Sequence, residues 1–304
     1  MSNANTPPET GHLAQLRRKQ QHCRTADGLD LFCRAWAPAD PRGVLVIVHG
    51  LSEHSGRYRE TAEFFATHGW AVYAGDLRSH GLSPDTPGGG RVHVRRFEDY
   101  FRDVDAFVDA ARQAHGELPL FLLGHSMGGL IGISYVLRHP GRQTGAVISS
   151  PALATHPDFR PPLLLRLLVA LLSRLAPRML FSSELDVQAL SRDPGVVRAY
   201  VEDPLVTQKV SARWYAEMVK AMKDAHRQAG TLQVPMLLMQ SGADRLVDPG
   251  APARWAAAAP ADRVQLVEWE GYFHEMFNEP EKALVRTRTL EWLEAQIREP
   301  GPGS

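Results

Sequence analysis

Short runs of apolar, β-branched residues recur along the chain between longer segments whose apolar residues repeat at helical spacing. The runs are 43–48 (Gly-Val-Leu-Val-Ile-Val), 71–74, 119–123, 146–149, 235–239 and 264–269. Runs that are apolar throughout, rather than alternating with polar residues, predict strands buried on both faces, and so a parallel sheet. Between two of them, Phe97, Phe101, Val104, Val108 and Ala111 line one helical face opposite Glu98, Arg102, Asp105 and Asp109. That is how a helix covering a sheet is written. Segments 58–68 and 281–297 repeat the pattern. Strand and helix alternate, which predicts a doubly wound α/β fold with a mostly parallel central sheet flanked by helices.

The alternation stops once. From Pro151 to about Asp224 helical patterns are punctuated by prolines 157, 161, 162, 177, 194 and 204, with no convincing strand. The expected organisation is therefore a core formed by 21–150 and 225–298, with a helical cap, or lid, inserted at 151–224. Residues 1–20 and 299–304 are expected to be tails.

Composition narrows the function. Lysine plus arginine and aspartate plus glutamate both number 34, so no net charge draws the chain to a polyanion, and no nucleic-acid partner is expected. Two cysteines, Cys23 and Cys33, flank a turn at 26–28 and cannot make a disulfide framework. The first twenty residues lack the apolar run of a secretory signal, and the greasiest stretch, 161–172, is too short to span a bilayer, so a cytoplasmic protein is expected.

The chemistry starts at 119–133, Pro-Leu-Phe-Leu-Leu-Gly-His-Ser-Met-Gly-Gly-Leu-Ile-Gly-Ile. Gly124-x-Ser126-x-Gly128 alone is a common string. An apolar strand entering it and a helix-compatible run leaving it make it the strand–turn–helix elbow of a nucleophilic serine. Glycines two before and two after the serine keep side chains out of a crowded turn. The N–H of Met127, at the helix start, and that of Leu51, in the loop after strand 43–48, are the expected oxyanion donors.

A serine hydroxyl needs a base. On such an elbow the partners follow in the order Ser, Asp or Glu, then His. Only His139, His156, His226 and His274 lie beyond Ser126, and of these only His274 sits on a loop after the last strand. Asp244, just past strand 235–239, is the expected orienting acid. Asp248 competes for that role, its alternative being to cap the helix opening at Pro249.

With these residues in view, Ala26-Asp-Gly, His49-Gly-Leu-Ser-Glu-His-Ser-Gly-Arg-Tyr58, Leu123-Gly-His-Ser-Met-Gly-Gly129, Leu190-Ser-Arg-Asp193 and Gly242-Ala-Asp-Arg-Leu246 resemble the monoacylglycerol lipases of the α/β-hydrolase superfamily. The resemblance runs from about residue 21 to 297. It implies an α/β-hydrolase fold and hydrolysis of monoacylglycerol to glycerol and fatty acid through an acyl-enzyme, with no cofactor or metal. It assigns Ser126, Asp244 and His274 to the triad and Leu51 and Met127 to the oxyanion hole, and it places Glu53, Arg57 and Tyr200 near the polar head of a lipid ester. Read from spacing alone, Glu53 and Arg57 are also a local i,i+4 ion pair. Mammalian members carry a second histidine three residues after the catalytic one, a position held here by Phe277. The signature 76–83, Asp-Leu-Arg-Ser-His-Gly-Leu-Ser, suits a structural strand-exit loop.

A lysophospholipase or general carboxylesterase is the alternative within enzymes, and a non-catalytic ligand-binding relative the alternative outside them. On a helical wheel, segment 162–175 puts Arg166, Ser173 and Arg174 on a narrow stripe and leucines over most of the circumference. The expectation is a cap helix that lines the acyl tunnel and rests peripherally on a membrane, with Arg160, Arg166, Arg174 and Arg178 meeting anionic head groups. Packing on the core or on a second copy is the other reading. Oligomeric state stays open.

Overall fold

The computed structural model describes residues 16–159, 162–183 and 185–298. The segments 1–15 and 299–304, expected as tails, and Arg160 lie outside the described residues. In chain order the elements begin with β1 (Arg17–Arg24), β2 (Asp30–Ala37), β3 (Gly43–Val48), α1 (Arg59–Thr67), β4 (Trp70–Gly75), α2 (Asp99–His115), β5 (Leu120–His125), α3 (Met127–Arg138) and β6 (Gly145–Ser149). The insertion then contributes α4 (Leu163–Leu175), β7 (Leu180–Ser182), α5 (Pro194–Glu202) and β8 (Lys209–Ser211). The chain closes with α6 (Ala212–Gln228), β9 (Met236–Ser241), α7 (Ala251–Ala258), β10 (Val264–Trp269) and α8 (Lys282–Arg298).

Eight strands form the sheet in the order β1-β2-β4-β3-β5-β6-β9-β10. β1 and β2 form an antiparallel hairpin, β2 pairs antiparallel with β4, and every pairing from β4 to β10 is parallel. The strands apolar throughout are buried on both faces, as β3 illustrates. Val44, Val46 and Val48 join the cluster under α2, α3 and α6, whereas Leu45 and Ile47 join the cluster under α1 and α8. The exception is β10, whose Gln265, Leu266 and Glu268 are exposed because it forms the sheet edge.

Three expectations need correcting. β1 starts at Arg17, inside the segment expected as a tail, because its partner β2 is long enough to hold it in register from Arg17↔Ala37 onward. The insertion does contain strands: β7 and β8 make a three-residue antiparallel pair, too short to leave a periodic signal. The cap boundary expected at 224 falls inside α6, whose Trp214, Met218, Ala221 and Ala225 belong to the main core and whose Trp214 Nε1 donates to Tyr100 Oη at 3.0 Å. In the hairpin, Cys23 pairs with Leu31 and Cys33 with Gln21, leaving two free, buried thiols diagonal to one another on one face. Among the described residues no helix is long and apolar enough to cross a membrane.

Candidate active site

β5 delivers the chain into the sheet's carboxyl edge, where Ser126 turns it with φ 53° and ψ −116° before α3 begins at Met127. A non-glycine residue in that region is uncommon and strained, and here it lifts the serine out of the buried strand. Ser126 is half-buried, whereas its neighbours on both sides are buried. A Cβ on residue 128 would fall on the carbonyl oxygens of Val48 and His49, and one on residue 124 would meet the Gly128 carbonyl, so both positions require glycine. Two backbone bonds pin the elbow to the exit of β6: Ser126 N donates to Ser149 O, and Ala152 N to Ser126 O, each at 3.0 Å.

His274 and Asp244 meet directly. His274 Nδ1 lies 2.7 Å from Asp244 Oδ2, and both side chains are buried. The other carboxylate oxygen, Oδ1, accepts the N–H groups of Leu246 and Val247 at 2.9 and 3.1 Å. Burial works against charge on both groups. The attraction between them outweighs it, holding the Asp244 carboxyl below and the His274 imidazole above their ordinary pKa values. The His274 ring also packs on His125, the residue before Ser126, with ring centroids 4.8 Å apart. His125 itself is held neutral, its pKa pushed down to about 4 by burial and then by the neighbouring His274. Asp248 is occupied elsewhere: it accepts Gly250 N at 3.0 Å in the turn ahead of α7, whose N-cap is Gly250 with no side-chain cap, and it pairs with Arg254 at 2.7 Å.

The loop after β3 lies against the elbow, since a Cβ at Gly50 would come within 3.3 Å of Ser126 Cβ. This loop is held from both sides by groups the sequence had not singled out for the purpose. His49 is fully buried; its Nε2 accepts from Leu77 N at 2.9 Å, so its Nδ1 carries the proton and donates to Gly50 O at 2.8 Å. Burial pushes its pKa down to about 4, which keeps it in this neutral form. With the Gly50 carbonyl tied back, the Leu51 N–H at the other end of the same planar peptide points the opposite way. Ser52, next in the chain, takes φ 58°. Met127, as first residue of α3, has an N–H that no helical carbonyl satisfies.

Around this loop sits a buried charge cluster. Glu53 accepts from Gly50 N at 2.5 Å, Tyr58 Oη at 2.8 Å and Arg57 Nη1 at 3.0 Å. Arg57 also clamps Glu275 with two bonds, 2.6 and 2.8 Å, and its guanidinium lies 4.8 Å from the centre of the Tyr200 ring. The local ion pair between Glu53 and Arg57 is therefore formed, and both groups are engaged within the protein. Of the three residues expected near a substrate head, Tyr200 is the one whose buried hydroxyl has no partner beyond the neighbouring Ser52 hydroxyl. Phe277 is buried in the core on the α8 side, and the position that adds charge beside His274 is Glu275. Its signal was present in the sequence as the residue next to His274, but only the fold reveals that Arg57 faces it. The 76–83 loop is structural as expected: Asp76 accepts Ser55 N at 2.7 Å and Leu82 N at 2.8 Å.

A serine on a strained strand–helix elbow, preceded by a residue that packs on a histidine held by a buried aspartate at the carboxyl edge of a parallel sheet, defines a serine hydrolase of the α/β type. Residues 39–281 match the family model described as serine aminopeptidase, S33, and the chain belongs to that α/β-hydrolase family. It is 36% identical to a monoacylglycerol lipase of Mycolicibacterium smegmatis over 94% of this chain and all of the relative. It is 39% identical to the phospholipase YtpA of Bacillus subtilis over 81% of this chain and 93% of that protein. Among solved structures, the monoacylglycerol lipase of Paleococcus ferrophilus superposes with a TM-score of 0.79 at 34% identity, covering 88% of this chain and 99% of that one. The chain is a carboxylic ester hydrolase.

Proposed function

We propose that this enzyme hydrolyses monoacylglycerols to glycerol and a free fatty acid through an acyl-enzyme on Ser126. His274, its Nδ1–H given to Asp244, presents Nε2 as the base that takes the Ser126 proton. Ser126 Oγ attacks the ester carbonyl, and the oxyanion is received by the N–H groups of Leu51 and Met127, each such donor being worth about 3 to 4 kcal/mol in the transition state. The protonated His274 then gives its proton to the departing glycerol oxygen. Water, activated by the same imidazole, releases the fatty acid. Tyr200, whose hydroxyl has only the Ser52 hydroxyl as neighbour, is the group proposed to meet the glycerol head, and Glu53 and Arg57 brace the loop behind it.

The observation that carries this reading is the buried 2.7 Å contact between His274 and Asp244, packed on the residue that precedes a half-buried Ser126. The similarity to monoacylglycerol lipases over nearly the whole chain supports the substrate class. The identity to a bacterial phospholipase favours lysophospholipids as the second reading. A peripheral place on a membrane is supported by α4, where Leu163, Leu164, Leu167, Leu171 and Leu175 are between 52% and 79% exposed.

The test is a panel of monoacylglycerols of graded chain length, lysophosphatidylcholine and short nitrophenyl esters. Monoacylglycerols should give the highest kcat/KM, Ser126→Ala should abolish turnover, and Asp244→Asn should lower kcat by about four orders of magnitude with folding intact. A preference for lysophosphatidylcholine would replace the proposed substrate. Near-normal turnover in Asp244→Asn would remove Asp244 from the mechanism.

A further inference from the structure

The edge strand β1 is held to the sheet through its ladder to β2, and along its length a single side chain is buried, that of Cys23. A tight turn fixes the register of this hairpin. Thr25 N donates to Leu29 O and Leu29 N to Thr25 Oγ1, each at 2.8 Å, and Gly28 takes φ 91°. Arg24 and Asp30, paired across the ladder, close at 2.6 Å, and Arg78 holds Asp27 in the turn at 2.8 Å. Cys23 stands opposite Leu31 and Cys33 opposite Gln21, so both sulfurs enter one core beside Leu29, Leu31 and Tyr73, and the two thiols bond to one another. The Cys33 sulfur also lies 3.6 Å from the Arg34 carbonyl oxygen. Filling a buried position on an edge strand takes any small apolar side chain, so packing does not account for two thiols in contact.

The two sulfurs are not equivalent. The bond from Cys33, then Gln21 and Lys19, hold the Cys23 thiol below its ordinary pKa against the opposing effect of burial. The same bond, with deeper burial, pushes the Cys33 thiol well up. One sulfur is thus disposed to be a thiolate and the other to keep its proton, the division of labour between an attacking and a resolving cysteine. We propose that Cys23 and Cys33 are an oxidation site for hydrogen peroxide, which joins them in a disulfide across β1 and β2. The Cys23 thiolate attacks one peroxide oxygen and the O–O bond breaks; the departing hydroxide takes up the proton Cys23 had released and leaves as water. Cys33 sulfur then displaces the hydroxyl of the Cys23 sulfenic acid, its own proton going to that oxygen, which leaves as a second water. Two thiols are oxidised and one peroxide is reduced. The new bond turns the one buried contact of β1 into a covalent one and fastens the edge strand to its neighbour.

The experiment treats the reduced, folded full chain with hydrogen peroxide, quenches with catalase, alkylates in urea and maps tryptic peptides by mass spectrometry. Cleavage after Lys19, Arg24 and Arg34 puts the two cysteines on separate peptides, 20–24 and 25–34. These should be recovered joined, from protein that runs as a single chain on a non-reducing gel, and dithiothreitol should part them. Oxidation should raise the melting temperature by about 5 °C, the order expected for closing a loop of this length. In Cys33→Ala dimedone should trap a sulfenic acid at Cys23, whereas in Cys23→Ala the remaining Cys33 should react at least about tenfold more slowly. Thiols that both stay open to alkylation, or a disulfide formed only between two chains, overturn the inference. Equal reactivity of the two thiols overturns their assigned roles, and an unmoved or lowered melting temperature overturns the fastening of β1. Should either variant fail to fold, the joined peptides of the unsubstituted chain decide.

Discussion

At the scale of single residues, the best-determined group in the site is one that does not face the substrate. His49 is fixed in one tautomer by an acceptor contact from Leu77 N–H and a donor contact to Gly50 O, and through that peptide it aims the Leu51 N–H. His49→Leu leaves the Gly50 carbonyl and the Leu77 N–H buried without partners, a penalty of about 1 to 3 kcal/mol each. The expected result is a fall in kcat of about 10² to 10³ with KM little changed, as for loss of one oxyanion donor, read by steady-state kinetics beside a thermal melt. Unchanged kcat would detach His49 from the oxyanion loop. Glu275 acts through charge. Burial alone would depress the His274 pKa, but Asp244 first and then Glu275 and Glu53 raise it above the ordinary histidine value. As the proposed base His274 works only when neutral, so kcat/KM should rise with pH through that raised pKa and fall on the acid side. Removing one of the raising charges in Glu275→Gln should move the acid limb to lower pH, and a limb that stays put would show that Glu275 does not reach the imidazole electrostatically. The elbow at Ser126 and the meeting of Asp244 with His274 were legible because elbow chemistry and chain order leave few choices. His49 and Glu275 were not, because their roles depend on partners at 77 and 57, brought close only by the fold.

Among the elements, those of the sheet were the most legible. β3, β5, β6 and β9 are buried throughout, and each begins with an unbroken apolar or glycine-led run that marks it in the composition. β1 escaped because its pattern is mostly polar and exposed, and it exists by pairing with β2. β7 and β8 escaped because three residues carry no period. For α4 the amphipathic stripe was readable, but its orientation was not, since a wheel does not say which side faces the protein. The leucine arc is exposed, and Arg166, itself exposed, lies on the side that borders a cavity against α6. If the outer side docks on lipid, Leu164→Ser/Leu171→Ser removes two apolar anchors of about 1.5 to 3 kcal/mol each. Flotation with anionic vesicles should then show at least a tenfold loss of bound protein, with the melting temperature unchanged. Equal flotation of variant and parent would remove α4 as the membrane contact.

For the whole molecule, the insertion divides into two parts with different attachments. Residues 189–192 are tied to the loop bearing His274: His274 N and Glu275 N donate to Ala189 O and Leu190 O, at 3.3 and 2.8 Å. The fully buried Glu279 gathers Ser191 Oγ at 2.8 Å, Arg192 N at 2.6 Å and Phe273 N at 3.1 Å. α5 follows directly and brings Tyr200 over Arg57, while Asp203 at its end bonds His54 at 2.8 Å. α4 is different, resting on α6 across the cavity. The sequence announced one insertion, and its division into a rear tied to the His274 loop and a front over the cavity depends on contacts across 87 and 88 residues of chain that no local pattern encodes. Descendants of this enzyme are thus free to trade the front helix for another and acquire a new taste in lipids, whereas any lineage that discards the rear also discards the scaffold on which its imidazole hangs.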